Sequence, residues 1–142
     1  MKRQFRVFVW LTAALLAAGT PRGALAQLPF DLLPEELLQV DTAAVRWSNL
    51  RSFVGGAEVD LYYATETVET GECKAVALLG LLRLRDHYRR QRETEPVSLR
   101  LRLRCARLFN GLLEYDGVSV RLELRDESSG ALVYRGRHRG LP

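Results

Sequence analysis

From Val97 the chain falls into a two-residue rhythm that runs to Phe109. Val97, Leu99, Leu101, Leu103 and Cys105 alternate with Arg100, Arg102 and Arg104. Successive side chains of a β-strand point to opposite faces, so the segment reads as a strand with one apolar face and one basic face. The leucines need a cover and the arginines need water, which calls for a sheet buried on one side only.

Residues 73–92 decide what covers it. Read as a strand, they put Leu82, Leu84 and Tyr88 on one side and Arg83, Arg85, His87 and Arg89 on the other. Read as a helix, they align Cys73, Val76, Ala77, Gly80, Leu81, Leu84 and Tyr88 in one stripe at i, i+3, i+4, i+7 spacing. Val76 is the only β-branched residue among good helix formers, and Thr70 stands where an N-terminal cap is wanted. A hairpin of 73–92 with 97–105, turning near 93–94, would set Arg83 against Arg104 and Arg85 against Arg102. Like charges directly opposed on neighbouring strands are destabilising, which favours the helix.

A second argument comes from the start of the chain. Lys2, Arg3 and Arg6 precede an apolar stretch from Val7 to Gly19, and Ala24-Leu25-Ala26 then supplies a small-x-small pattern. Residues 1–26 therefore read as a cleavable signal peptide, with the mature protein starting at Gln27. The apolar run is shorter than the ~20 residues of a membrane span, so an uncleaved anchor is the weaker alternative and no stable span is expected after cleavage. In an exported protein a single pair of cysteines, Cys73 and Cys105, is most simply a disulfide. A helix over about 73–91 is roughly 27 Å long. The strand from 97 to 105 covers a similar distance, so the two cysteines come level. In the hairpin they would lie near 30 Å apart at strand rise. A bridge needs Cα atoms within ~7 Å.

The leader also distorts the charge. Of 21 basic residues, Lys2, Arg3, Arg6 and Arg22 fall in 1–26, leaving 17 basic against 17 acidic residues in the rest. The basic isoelectric point is thus no argument for nucleic acid. The balance is uneven along the chain, with a net charge of −7 over residues 27–72 and +7 over 73–142.

The remaining segments complete one small globular domain over 27–142, and its length suits a single core. Residues 27–41 suggest a short helical segment started at Pro34, with Leu32, Leu33, Leu37 and Leu38 packing on the domain, or else an arm that docks on a partner. Val45-Arg46-Trp47 suggests a first strand ended by Gly55-Gly56, and 58–69 a second with Val59, Leu61, Tyr63, Thr65 and Thr67 on one side. Asp116-Gly117 marks a turn. Val118, Val120, Leu122 and Leu124 then alternate with Ser119, Arg121, Glu123 and Arg125, and 131–137 returns after the loop at 126–130. The expected fold is α+β: one helix, about 73–91, packed on an antiparallel sheet of four to five strands. The alternative is an all-β sandwich. The order of a helix followed by long strands resembles cystatin-like shapes in outline alone, which implies no function.

No chemistry assembles from the residue types. His87 and His138 are the only imidazoles, and a Ser129, His138, Asp126 set is better explained by a hairpin loop and a solvated edge. Glu35/Glu36, Glu93/Glu95 and Asp126/Glu127 sit in a helix start, a turn and a loop rather than in apolar runs that would hold one carboxyl protonated. Two thiols and two scattered histidines give no metal spacing, and no phosphate-cradling glycine loop is present. Catalytic residues, cofactors and metals are therefore expected to be none. The basic row Arg100, Arg102, Arg104, extended by Arg107, is the candidate for binding an anionic glycan or lipid, against a cross-paired, solvated face. The leading expectation is a non-enzymatic module, periplasmic or secreted, that contacts another envelope or secreted protein.

Overall fold

The computed structural model describes residues 28–141, so the proposed signal peptide lies outside the described residues. Its centre is a strand–helix–strand unit. Strand β2 (Gly56–Tyr63) leads through a short loop into the helix α2 (Thr70–Arg92), which returns the chain to β3 (Ser98–Cys105). A helix of 23 residues is about 34 Å long, enough to carry the chain back past a whole strand. β3 therefore starts at the end of the molecule where β2 starts, and the two pair in parallel, with Val59 opposite Leu101 and Tyr63 opposite Cys105. The expectation of a purely antiparallel sheet is corrected here. A long helix between adjacent strands makes a crossover, and a crossover makes the pair parallel.

Around this unit the other strands add antiparallel. β1 (Val45–Phe53) pairs with β2, β4 (Phe109–Tyr115) with β3, β5 (Ser119–Asp126) with β4 and β6 (Leu132–Arg139) with β5, so the spatial order follows the chain order. The sheet has six strands rather than four to five. The unexpected one is β4. The strand expected to run to Phe109 ends at Cys105, where Ala106 takes a left-handed φ of 52° and Leu108 N–H donates to Cys105 O at 3.2 Å. The fold is α+β, as the helix reading implies.

The helix is longer than expected, starting at Thr70 and ending at Arg92. Glu69 rather than Thr70 is the N-cap residue and gives no side-chain cap; Glu72 in the first turn and Arg89, Arg90 and Arg92 in the last complement the helix dipole. The stripe from Cys73 to Tyr88 is buried, and Ala75 and Leu78 are buried beside it because the short helix α1 (Pro34–Leu38) packs on α2. Gly80 sits where α2 comes nearest the sheet: a Cβ there would lie 2.6 Å from Leu61 Cδ1 and 2.8 Å from Leu101 Cδ1. The Cys73–Cys105 disulfide ties the first turn of α2 to the end of β3, with Cα atoms 5.9 Å apart.

The first residues belong to the same core. Phe30, Leu32, Leu37 and Val40 are buried in it, whereas Leu33, expected to pack, is 58% exposed. Tyr63 Oη accepts the Asp41 N–H at 2.9 Å and pins this segment to β2. Burial raises the Tyr63 pKa, with the Glu72 carboxylate adding to the effect. Two further expectations shift. Thr65 and Thr67 fall after β2, in the loop before α2, and the inward set of β5 starts at Val120, because Ser119 is buried while Val118 is exposed. No helix among the described residues is long and apolar enough to cross a membrane.

Candidate functional site

The helices lie on one face of the sheet, and the opposite face carries no layer of its own among the described residues. Strand register assigns that outer face. Glu58, Asp60 and Tyr62 of β2 lie beside Arg100, Arg102 and Arg104 of β3, and these lie beside Glu114, Leu112 and Asn110 of β4. The basic row of β3 thus lies between Glu58 and Asp60 on one side and Glu114 on the other, the arrangement in which opposite charges on neighbouring strands attract.

The arginine row is drawn into this pattern. Arg100 Nη2 bridges Glu114 Oε2 at 3.0 Å, and Arg104 Nη2 bridges Glu127 Oε1 at 2.8 Å. The Arg104 guanidinium also lies 5.7 Å from the Tyr62 ring centroid, within cation–π range. Glu58, on the other side of Arg100, bridges Arg51. Arg102 faces Asp60, whose Oδ2 accepts from Asn49 Nδ2 at 2.8 Å. Arg102 and Arg107 make no ion pair among the described residues, and Arg107 sits in the β3–β4 turn, off the row. A groove of about 310 Å³ runs between Arg51, Glu58, Asp60, Arg100 and Arg102, lined by both signs of charge.

A second cationic group lies where sequence reading saw only a solvated edge. β6 ends with Arg135, Arg137 and Arg139 at period two, and register sets Arg137 directly against Arg121 of β5. Arg135 Nε bridges Glu123 Oε2 at 3.1 Å, but Arg137 and Arg139 have no acidic partner among the described residues. Arg137 Nε instead donates to Ser119 Oγ at 3.3 Å, and Ser119 is itself buried. A groove of about 480 Å³ is lined by Val118, Ser119, Arg137 and Arg139. Hairpin register sets Arg135 against Glu123, Arg137 against Arg121 and Arg139 against Ser119.

The residues weighed for catalysis are not brought together. Asp126 and Ser129 close the β5–β6 turn, where Asp126 Oδ1 accepts from the Ser128 hydroxyl at 2.7 Å, the Ser129 N–H at 2.9 Å and the Ser129 hydroxyl at 3.1 Å. These bonds hold the Asp126 carboxyl below its usual pKa, the Ser128 hydroxyl contributing most. His138 pairs with Val120 at the far end of the same hairpin, about 20 Å away at strand rise. Asp116 caps the β4–β5 turn in the same way, accepting from the Ser119 and Val118 N–H groups at 2.8 and 2.9 Å, which lowers its pKa. Among the described residues no group of three or more His, Cys, Asp or Glu is placed to hold a metal ion.

Charge is separated along the molecule as well as across the sheet. Glu36 packs by Gly71, Glu69 and Glu72 line a groove with Gln39, and Asp41 and Glu72 approach Tyr63, so acids gather around the start of α2. None of them makes an ion pair among the described residues. The nearest cation, Lys74, lies with its Nζ 4.0 Å from the Tyr134 ring centroid. Burial and the Asp31 charge raise the Tyr134 pKa to about 12. Arg121, Arg137 and Arg139 stand at the opposite end of the strands. No family model, curated protein or solved structure matches this chain.

Proposed function

We propose that the protein is a non-enzymatic exported module, periplasmic or secreted, that acts by protein–protein contact in an envelope or extracellular assembly. The observation that carries this reading is the outer face of the sheet, which no layer covers among the described residues. A mixed-charge surface with Leu112 at its centre suits a complementary protein surface better than a small ligand. The disulfide is in keeping with an oxidising compartment, and the leader-like segment at 1–26 supplies the route.

Position-specific crosslinking tests it. A photoreactive residue is placed at Arg102, at Leu112 and, on the helix side, at Arg90, and the protein is exposed to its native envelope extract. The expected result is one discrete adduct from positions 102 and 112, none from 90, and loss of the Leu112 adduct when Arg102→Glu is added. Adducts from position 90 alone, or none that depends on Arg102, overturn the reading.

A binding domain for an anionic glycan or lipid, using Arg100, Arg102, Arg104 and Arg107, is the second reading. It is favoured by Arg102 and Arg107, which make no ion pair among the described residues. Retention on heparin that Arg100→Gln, Arg102→Gln and Arg104→Gln together abolish would put it first, provided melting stays nearly constant. Two exposed ion pairs are lost in that variant, worth ~0–1 kcal/mol each.

A further inference from the structure

Three connections meet at the end of the sheet away from the disulfide: the β1–β2 turn, the residue before β3 and the β4–β5 turn. Val97 N–H donates to Gly55 O at 2.7 Å, and a Cβ on Gly117 would lie 3.2 Å from Val97 O. Gly55 and Gly117, at φ of 91° and 94°, make the two turns sharp enough to bring them together. Three apolar side chains project from this end: Val54 is 91% exposed, Val97 62% and Val118 60%. Val59, Leu99 and Val120, a few residues inward, are buried, so the exposed valines belong to the turns and not to the core.

Arg137 and Arg139, which have no acidic partner among the described residues, border this tip. Gly140 N–H donates to Val118 O at 2.7 Å, which seats Arg139 beside Val118, with Arg137 in the same groove. The acids nearby are engaged elsewhere. Asp116 caps its own turn, Glu114 holds Arg100 and Glu95 holds Arg89 at 3.1 Å, leaving Glu93 at the end of α2.

We propose that this end of the sheet docks on an anionic lipid bilayer, with Val54, Val97 and Val118 entering the headgroup region and Arg137 and Arg139 on lipid phosphates. Apolar residues carried on turns and flanked by cations match an interface that is apolar below and anionic above. A valine exposed at a hairpin tip needs no shaped pocket in a fluid bilayer, whereas a protein partner would have to supply one. The acids around the start of α2 give the molecule a charge axis that presents the tip first to an anionic surface. Arg137 and Arg139 stand on the outer face at its β5–β6 end, away from Arg102 and Leu112 at its middle, and the valines lie on the turns, so failure here leaves the protein-contact reading standing.

The test is flotation of residues 27–142, which hold the whole described core, with vesicles at 50 mM salt. Binding is expected to 70:30 phosphatidylcholine:phosphatidylglycerol vesicles and not to pure phosphatidylcholine. Arg137→Gln with Arg139→Gln should weaken it about 25-fold, at roughly fivefold per basic residue near such a surface. Val54→Ser, Val97→Ser and Val118→Ser together should weaken it about tenfold or more. Arg102→Gln with Arg107→Gln should change it less than twofold. All variants should keep the wild-type melting temperature, since every changed side chain is exposed. Absence of vesicle binding overturns the proposal. So does binding that ignores the valines, which marks a soluble polyanion or acidic protein as the ligand, and binding lost with Arg102 and Arg107, which moves it away from this end to the β3 arginines.

Discussion

Removing the Cys73–Cys105 bridge tests how much of this fold the unfolded chain would otherwise resist. The two cysteines are 32 positions apart, and in the chain-entropy treatment a closed loop of that length stabilises the folded state by about 4 kcal/mol. Both residues are fully buried, so alanine is the better replacement; serine would bury a hydroxyl without a partner and add a separate cost of ~1–3 kcal/mol. At an unfolding entropy of ~2.1 cal/mol/K per residue, about 4 kcal/mol in a domain of this size lowers the melting temperature by roughly 15 °C. Thermal and urea unfolding of oxidised wild type, reduced wild type and the Cys73→Ala, Cys105→Ala variant measure it. The urea m-value should rise on reduction, because an unfolded chain freed of the loop exposes more surface. A loss of under about 3 °C with an unchanged m-value would refute the reasoning, as would two reactive thiols in the denatured, unreduced protein.

Gly80→Ala should destabilise the domain by about 1–2 kcal/mol in urea unfolding, even though alanine is the better helix former, because the new methyl meets Leu61 and Leu101. A stabilised variant would show that α2 can lift from the sheet. Tyr63 and Tyr134 both hold their protons more tightly when folded than when unfolded, so their contribution is complete below pH ~10, the unfolded tyrosine value, and is lost as pH rises through the folded values. Stability measured from pH 9 to 12 should fall, and Tyr134→Phe should make that fall shallower; an equally steep fall in the variant would remove Tyr134 from the account.

How far the sequence carried the fold depended on what kind of information each step needed. The helix over 73–91 was legible because two separate constraints agreed: charge opposition disfavoured the hairpin, and the length of a helix brought Cys73 level with Cys105. β4 was not legible. Its entry turn at Ala106 adopts a left-handed φ on a residue with no turn preference, and no glycine, proline or asparagine lies between Cys105 and Phe109. Alternation tells which face a residue takes but not which way its neighbour runs, so the parallel β2–β3 pair had to await the crossover. The same limit applied to the candidate site. Arg100, Arg102 and Arg104 were placed correctly on one exposed face. Their partners Glu114 and Glu127 come from other strands and turns, and only register names them. Arg137 was passed over because its distinguishing feature, opposition to Arg121, exists only across the hairpin.

The split between an acidic first part and a basic second part takes its meaning from the same register. Within the sheet the two parts meet at β2 against β3, where Glu58 and Asp60 face Arg100 and Arg102. Of the nine acids in residues 27–72, Glu58 alone makes an ion pair among the described residues, and its partner is Arg51 from the same part of the chain. The halves therefore do not cancel by contact. At the middle of that strand pair opposite charges neighbour one another, while the acids of α1 and the start of α2 lie at one end of the strands and Arg121, Arg137 and Arg139 at the other. A strand of eight residues is about 26 Å long. The screening length near 0.1 M salt is about 10 Å. The ends are thus electrically independent under ordinary conditions: each meets its surroundings with its own sign, and the near-zero net charge of residues 27–142 describes neither.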